Sequence, residues 1–124
     1  MSKVKINIWN REFDLPVSFS CYPGEEILLE QKKALAAFCD EEFPTEGSLK
    51  DVTKYVKKTA DGKLNGMEID NIFKFVMPKS LYIPRTKENV VAIICNYKFD
   101  MENGIAVVFK DNKLSNIGTQ DIIL

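Results

Sequence analysis

The chain is 124 residues long, 45% hydrophobic and 28% charged, and its 17 Lys and Arg against 18 Asp and Glu leave a formal net charge of −1. That balance provides no general attraction to nucleic acid or an anionic membrane, and the size suits one domain that buries its own core without disulfides or metal. Histidine is absent, which excludes Ser-His and Cys-His catalytic pairs, His-ligated metal and any side chain whose unperturbed pKa lies between pH 5 and 8.

The first ten residues alternate charged and apolar groups instead of setting a basic stretch before an apolar block, so no secretory signal is expected. Val4, Ile6 and Ile8 share one face of a predicted strand, and Phe13, Leu15, Val17, Phe19 and Cys21 share one face of a second. The polar run Asn10 to Glu12 makes the pair an antiparallel hairpin. Pro16 cannot donate to a ladder, which places the second strand at a sheet edge or at a bulge.

Pro23-Gly24 ends the extended pattern, and a helix is predicted from Glu25 to about Glu42, with Glu25 and Glu26 favoured by the dipole in its first turn. Leu28, Gln31, Leu35, Phe38 and Cys39 form its inner stripe. Its acidic end, Asp40-Glu41-Glu42, runs against the dipole. Ser48 and Asp51 resemble a capping box opening a second amphipathic helix, with Leu49, Val52, Tyr55 and Val56 inside and Lys50, Lys54, Lys57 and Lys58 outside. After Asp61-Gly62 and Asn65-Gly66 turns, Ile69, Ile72, Phe73 and Val76 read as a short helix ended by Pro78, or equally as a strand.

The last third is β-rich. Leu81 to Ile83 forms a short strand, and Val90 to Phe99 a long one, apolar on both faces at its start and therefore central. Asn103-Gly104 and Asp111 to Lys113 close hairpins into strands at Ile105 to Phe109 and Leu114 to Ile117, and the tail Ile122-Ile123-Leu124 is apolar enough to dock. The order β-β-α-α-(α)-β-β-β-β predicts an α+β domain, a largely antiparallel sheet with a block of helices on one face.

Few motifs carry chemistry. An EF-hand-like order spans Lys57 to Glu68, but aligning Gly62 with the loop glycine puts Lys57 at the first ligand position, where a cation defeats the site. Asp100 and Glu102 flank a tight turn and suit paired carboxylates, although turn geometry alone explains the string FDMENG. Glycine-rich phosphate loops, nucleophile elbows and CxxC pairs are missing from the sequence. Cys21, Cys39 and Cys95 are widely spaced and odd in number, as free thiols of a reducing cytosol would be, with Cys21 and Cys95 in apolar patterns that favour burial. The longest apolar run, Val90 to Cys95, falls far short of the about 20 residues of a membrane span. Charge divides along the chain: residues 1–46 hold five basic and nine acidic side chains, residues 47–124 twelve and nine.

The stretch from MPKSLYIP to the C-terminus resembles a bacterial family of small uncharacterised α+β domains. The pattern falls on Pro78, Lys79, Ser80, Asp100, Glu102, Gly104, Phe109, Gly118, Gln120 and Asp121, with Asn103 standing where many relatives carry His. The resemblance implies the fold, and through some members it implies an immunity-type role beside bacterial toxins. The Asn103 departure argues against metal binding or proton transfer at that turn.

The expectation is a cytoplasmic, non-enzymatic domain that uses no cofactor and binds another protein, not nucleic acid or membrane. Contact is expected through Asp40, Glu41, Glu42 and Glu46 or through the C-terminal hairpins bearing Asp100 and Glu102. The alternatives are a small-molecule-binding or hydrolytic enzyme using Asp100, Glu102 or Asp121 with Tyr97 or a lysine, and a structural or oligomerisation module.

Overall fold

The computed structural model describes residues 3–40, 47–60 and 69–123. The two predicted turns at 61–66, the EF-hand-like stretch from Asp61 onward, Glu41, Glu42, Glu46 and Leu124 lie outside the described residues.

Strands β1 (Lys3–Ile8) and β2 (Arg11–Phe19) pair antiparallel in unbroken register from Lys3↔Pro16 to Ile8↔Arg11. Their turn is Trp9-Asn10, one residue earlier than expected, and both residues have left-handed φ values of 52° and 68°. That geometry costs a non-glycine residue about 1–2 kcal/mol. Tertiary contacts hold it: the buried Trp9 indole N–H donates to Ser48 Oγ at 2.8 Å, and its ring lies 5.9 Å from that of Phe73. Pro16 is neither at an edge nor at a bulge. It stands at the last β1 pair, and the β3 ladder begins one residue later at Val17, so its missing N–H falls where β2 passes from one neighbour to the other.

Among the described residues helix α1 spans Leu29–Asp40, so it starts four residues later than the expected Glu25. Pro23 to Leu28 is loop, with Gly24 at φ 81°, and Glu25 pairs with Arg85 at 2.6 Å instead of serving the helix dipole. The start is set by Gln31, a fully buried polar side chain. Its Oε1 accepts the Leu28 N–H at 2.9 Å, and its Nε2 donates to the carbonyls of Ser20 (2.8 Å) and Ile83 (3.2 Å). One amide thus caps the helix and ties together the ends of two strands. Helix α2 (Ser48–Thr59) follows its predicted span, with Val52 and Val56 buried and its lysines exposed. The cap position is occupied not by Ser48 but by Gly47, at φ 87°, and Ser48 Oγ accepts the Trp9 indole N–H.

The ambiguous third segment is divided between both readings. Ile72–Lys74 is one 3₁₀ turn, capped by Asn71 Oδ1 accepting from Phe73 N, and strand β3 (Val76–Ile83) begins after one intervening residue, Phe75. Pro78 ends no helix but lies inside β3, where the register with β4 (Val90–Tyr97) slips between Pro78 and Ser80. The bulged residue is Lys79, and it changes which face each half of the strand presents. Val76 and Pro78 oppose Tyr97 and Cys95, while Leu81 opposes Ile93, so apolar residues of even and odd number reach the same side. The device recurs in β6 (Lys113–Gly118) against β5 (Ile105–Lys110), where Ser115 is the extra residue and Leu114 and Ile117 oppose Phe109 and Val107.

Among the described residues, six strands lie in sequence order, β1-β2-β3-β4-β5-β6, with β4 internal as expected. Every pairing is antiparallel except β2 with β3, which is parallel because the helical block intervenes. One face of the sheet, including Ile83, Ile93, Ile105 and Val107, packs on Ala34 and Phe38 of α1 and Val52 and Val56 of α2. Helix α2 touches the β1–β2 turn through Trp9 and also the opposite edge strand β6, so the sheet curls about the helices. The other face carries a smaller cluster of Val90, Ala92, Ile94, Ala106 and Val108, against which Tyr82 and the tail residue Ile123 pack.

Candidate functional site

The chemistry concentrates at the end of the sheet where β4 leaves and β5 enters. The connection is a seven-residue loop, 98–104, and not the tight turn expected at Asn103-Gly104. Asp100 organises it. Its Oδ1 accepts the Asn103 N–H at 3.2 Å, the Asn103 amide donates to both carboxylate oxygens at 3.2 and 3.1 Å, and the Asp100 carbonyl accepts the Gly104 N–H at 2.9 Å. Gly104 sits at φ 59°, and a β-carbon there would stand 2.3 Å from Gln120 Nε2 and 2.6 Å from the Cys95 carbonyl. Gln120 closes on this loop from the C-terminal 3₁₀ turn (Gln120–Ile122): its N–H donates to the Asn103 carbonyl (3.1 Å) and its Nε2 to that of Cys95 (3.3 Å). Beside it, Thr119 Oγ1 donates to Asp121 Oδ1. The Asp-x-Glu-x-Gly and Gly-x-Gln-Asp segments, some 15 residues apart in the chain, therefore form one substructure.

The last turn of α2 meets this substructure through hydroxyls. Tyr97 Oη lies 2.6 Å from Thr59 Oγ1, which donates to the Tyr55 carbonyl at 2.8 Å. Burial raises the pKa values of Tyr55 and Tyr97 above their ordinary value of 10.0; the nearby negative charges of Asp100 and Asp121 raise Tyr55 further, and Asp100 acts likewise on Tyr97. A run of rings leads away from that point. Tyr55 contacts Tyr97 at 6.3 Å between centroids, Tyr97 meets Phe99 edge-on at 5.6 Å, and Phe99 stacks on Phe75 at 5.5 Å.

Phe75 opens onto a surface groove of about 430 Å³. Met77 of β3 and Met101 of the 98–104 loop line it, 37% and 67% exposed, together with Asn96 and two lysines, Lys74 and Lys98. The Lys98 ammonium rests 5.7 Å from the centre of the Phe75 ring. Lys74 pairs with Asp70, four residues earlier in the chain, at 3.6 Å.

The expected contact residues separate. Asp100 is half-buried and held by Asn103; Glu102 is exposed on the same loop and, among the described residues, makes no hydrogen bond or ion pair. Asp40 closes α1, away from this substructure in the chain, and its acidic neighbours lie outside the described residues. Met77, Met101, Lys74 and Lys98 were not singled out by the sequence reading. Met101 alone had a signal, as a large apolar residue in an otherwise polar turn. Cys21 is exposed, because β2 ends two residues before it, whereas Cys95 is fully buried, and burial pushes its thiol far above the ordinary range. Among the described residues, no group of three or more Cys, Asp or Glu is placed to hold a metal, and no helix is long and apolar enough to cross a membrane.

Fold and site together define an α+β domain whose two sequence motifs build one loop-and-turn substructure beside an apolar groove. The chain belongs to the family described as a domain of unknown function, DUF6985, whose family model matches residues 1–124. No curated protein and no solved structure matches it.

Proposed function

We propose that the protein is a non-enzymatic binding domain that recognises another protein through the 98–104 loop and the adjoining groove, in an immunity-type, toxin-neutralising role. The observation that carries the reading is Met101. A large apolar side chain stands 67% exposed on a loop fixed by five hydrogen bonds around Asp100, Asn103, Gly104 and Gln120, and lines one groove with a second exposed methionine, Met77, and two aromatic rings. A rigid loop presenting an unsatisfied apolar side chain favours association, and flexible thioethers adapt to a partner's shape. The immunity-type part of the reading draws on the family resemblance.

Site-specific photo-crosslinking in the native host tests it. A photo-reactive residue at position 101 is expected to give a discrete adduct with one protein, absent when the same residue stands at Lys50 on the outer face of α2. Identical adduct patterns at the two positions would overturn the reading.

The enzymatic alternative has one observation in its favour, since Asp100 and Asp121 both act on Tyr55 and so lie near one another and the tyrosine pair. Against it stands the engagement of both Asp100 oxygens by Asn103, which leaves that carboxylate committed to the turn.

A further inference from the structure

Building on the proposed binding role, we infer that the groove takes a short acidic segment of its partner carrying one apolar anchor. The floor is apolar and aromatic, and its walls bear cations. Phe75 lies at the base, Met77 and Met101 stand exposed, and Lys74 and Lys98 line the same depression. Among the described residues, no carboxylate pairs with Lys98; its ammonium lies on the Phe75 ring and keeps its hydrogen-bond donors for a ligand.

Lys74 has a carboxylate, Asp70, but the two side chains are 61% and 78% exposed and separated by 3.6 Å. An exposed pair of this kind holds its partners weakly, so a competing carboxylate displaces Asp70 readily. The acids on the groove's own loop do not engage these ammonium groups: Asp100 has both oxygens held by Asn103, and Glu102, exposed on the same loop, forms no ion pair with Lys74 or Lys98 among the described residues. Asn96, exposed beside Lys98, supplies an amide that matches the backbone of an extended segment. The volume of about 430 Å³ lies at the small end of ligand sites, enough for one large side chain and its immediate neighbours. A wholly apolar segment covers the Lys98 ammonium without giving it a partner, and a basic one meets like charge; an acidic segment with one anchor satisfies both walls and floor.

Fluorescence anisotropy on the full chain decides the matter with three labelled hexapeptides: Glu-Glu-Ala-Phe-Glu-Glu, the same peptide with Lys for each Glu, and the same peptide with Ala in place of Phe. The acidic, anchored peptide is expected to bind saturably and at least tenfold more tightly than either control, and to weaken as salt is raised. Lys98→Glu and Met101→Ala are each expected to lower its affinity at least fivefold, with unchanged circular dichroism showing that the fold persists. Equal binding of the three peptides, or indifference to both substitutions, overturns the inference. The broader reading fails separately: an adduct at position 101 whose captured segment is basic or wholly apolar leaves the binding role standing and removes the acidic segment, whereas matching adduct patterns at 101 and Lys50 remove both.

Discussion

Gly104 and Gly24 share a left-handed backbone, at φ 59° and 81°, but the space around them differs. Nothing lies within 4 Å of a β-carbon built on Gly24, while at Gly104 it would run into the side-chain amide of Gln120 and the backbone carbonyl of Cys95. Gly24→Ala is therefore expected to cost only the backbone strain, about 1 kcal/mol. Gly104→Ala adds a collision with a strand that cannot give, and a loss of roughly 2–4 kcal/mol in urea unfolding is expected. Equal destabilisation of the two variants would show that the Gln120 clamp is not tight. Gln31 illustrates the same principle from the polar side. It was legible in the sequence only as a member of the α1 stripe, because nothing in helical periodicity reveals that its amide reaches the carbonyls of Ser20 and Ile83.

At the level of elements, alternation identified β1 and β2, and continuous apolar runs between turn signals identified β4 and β5, which are buried on both faces. Alternation failed where the chain inserts one residue. In VMPKSLYI the buried positions are 76, 78, 81 and 83, a sequence that no single period describes until Lys79 is recognised as a bulge. Alternation therefore picks out only the three-residue stretch 81–83, and the part before Pro78 reads as a short helix or as a strand. Deletion of Lys79 would restore strict alternation and turn either Leu81 and Ile83, or Val76 and Pro78, away from the helices. Each large side chain so displaced forfeits about 1.5–3 kcal/mol, and two of them rival the whole stability of a small domain. Loss of near-ultraviolet circular dichroism and of a cooperative melt is expected for that deletion. The corresponding deletion of Ser115 exposes only the partly buried Ile117 and should leave a folded protein. The groove was illegible for a related reason: residues 73–77 and 96–101 share a surface only through the β3–β4 register, while the turn chemistry of Asp100 and Asn103 could be read directly.

For the whole molecule, buried protons set the response to pH. Cys95, Tyr55 and Tyr97 are all held protonated in the folded state beyond their ordinary values of 9.0 for the thiol and 10.0 for the phenols. Below pH 9 the folded and unfolded states both keep these protons, and the contribution to stability is complete. Above it the unfolded state releases protons that the folded state retains, so stability declines as pH rises. The expected urea midpoint is insensitive to these groups up to about pH 9 and falls beyond it. Cys95→Val preserves the apolar packing while removing the thiol, and should move the onset of the decline toward pH 10. An unchanged onset would exclude Cys95 as its source. Cys21, exposed at the end of β2, should react with a thiol reagent in the native state, whereas Cys95 should react only after unfolding.

The single parallel joint in the sheet has a consequence for biosynthesis. Residues 20–75 separate β2 from the strand it lies beside, whereas β3 to β6 connect by hairpins and loops of at most seven residues. Closing the long crossover carries an entropic charge that the later meander largely escapes. As the chain leaves the ribosome, the first hairpin and both helices emerge before any surface exists to receive them. The C-terminal strands then act as the template on which the earlier half settles, so truncation from the C-terminal side removes the seed of assembly along with the edge of the sheet.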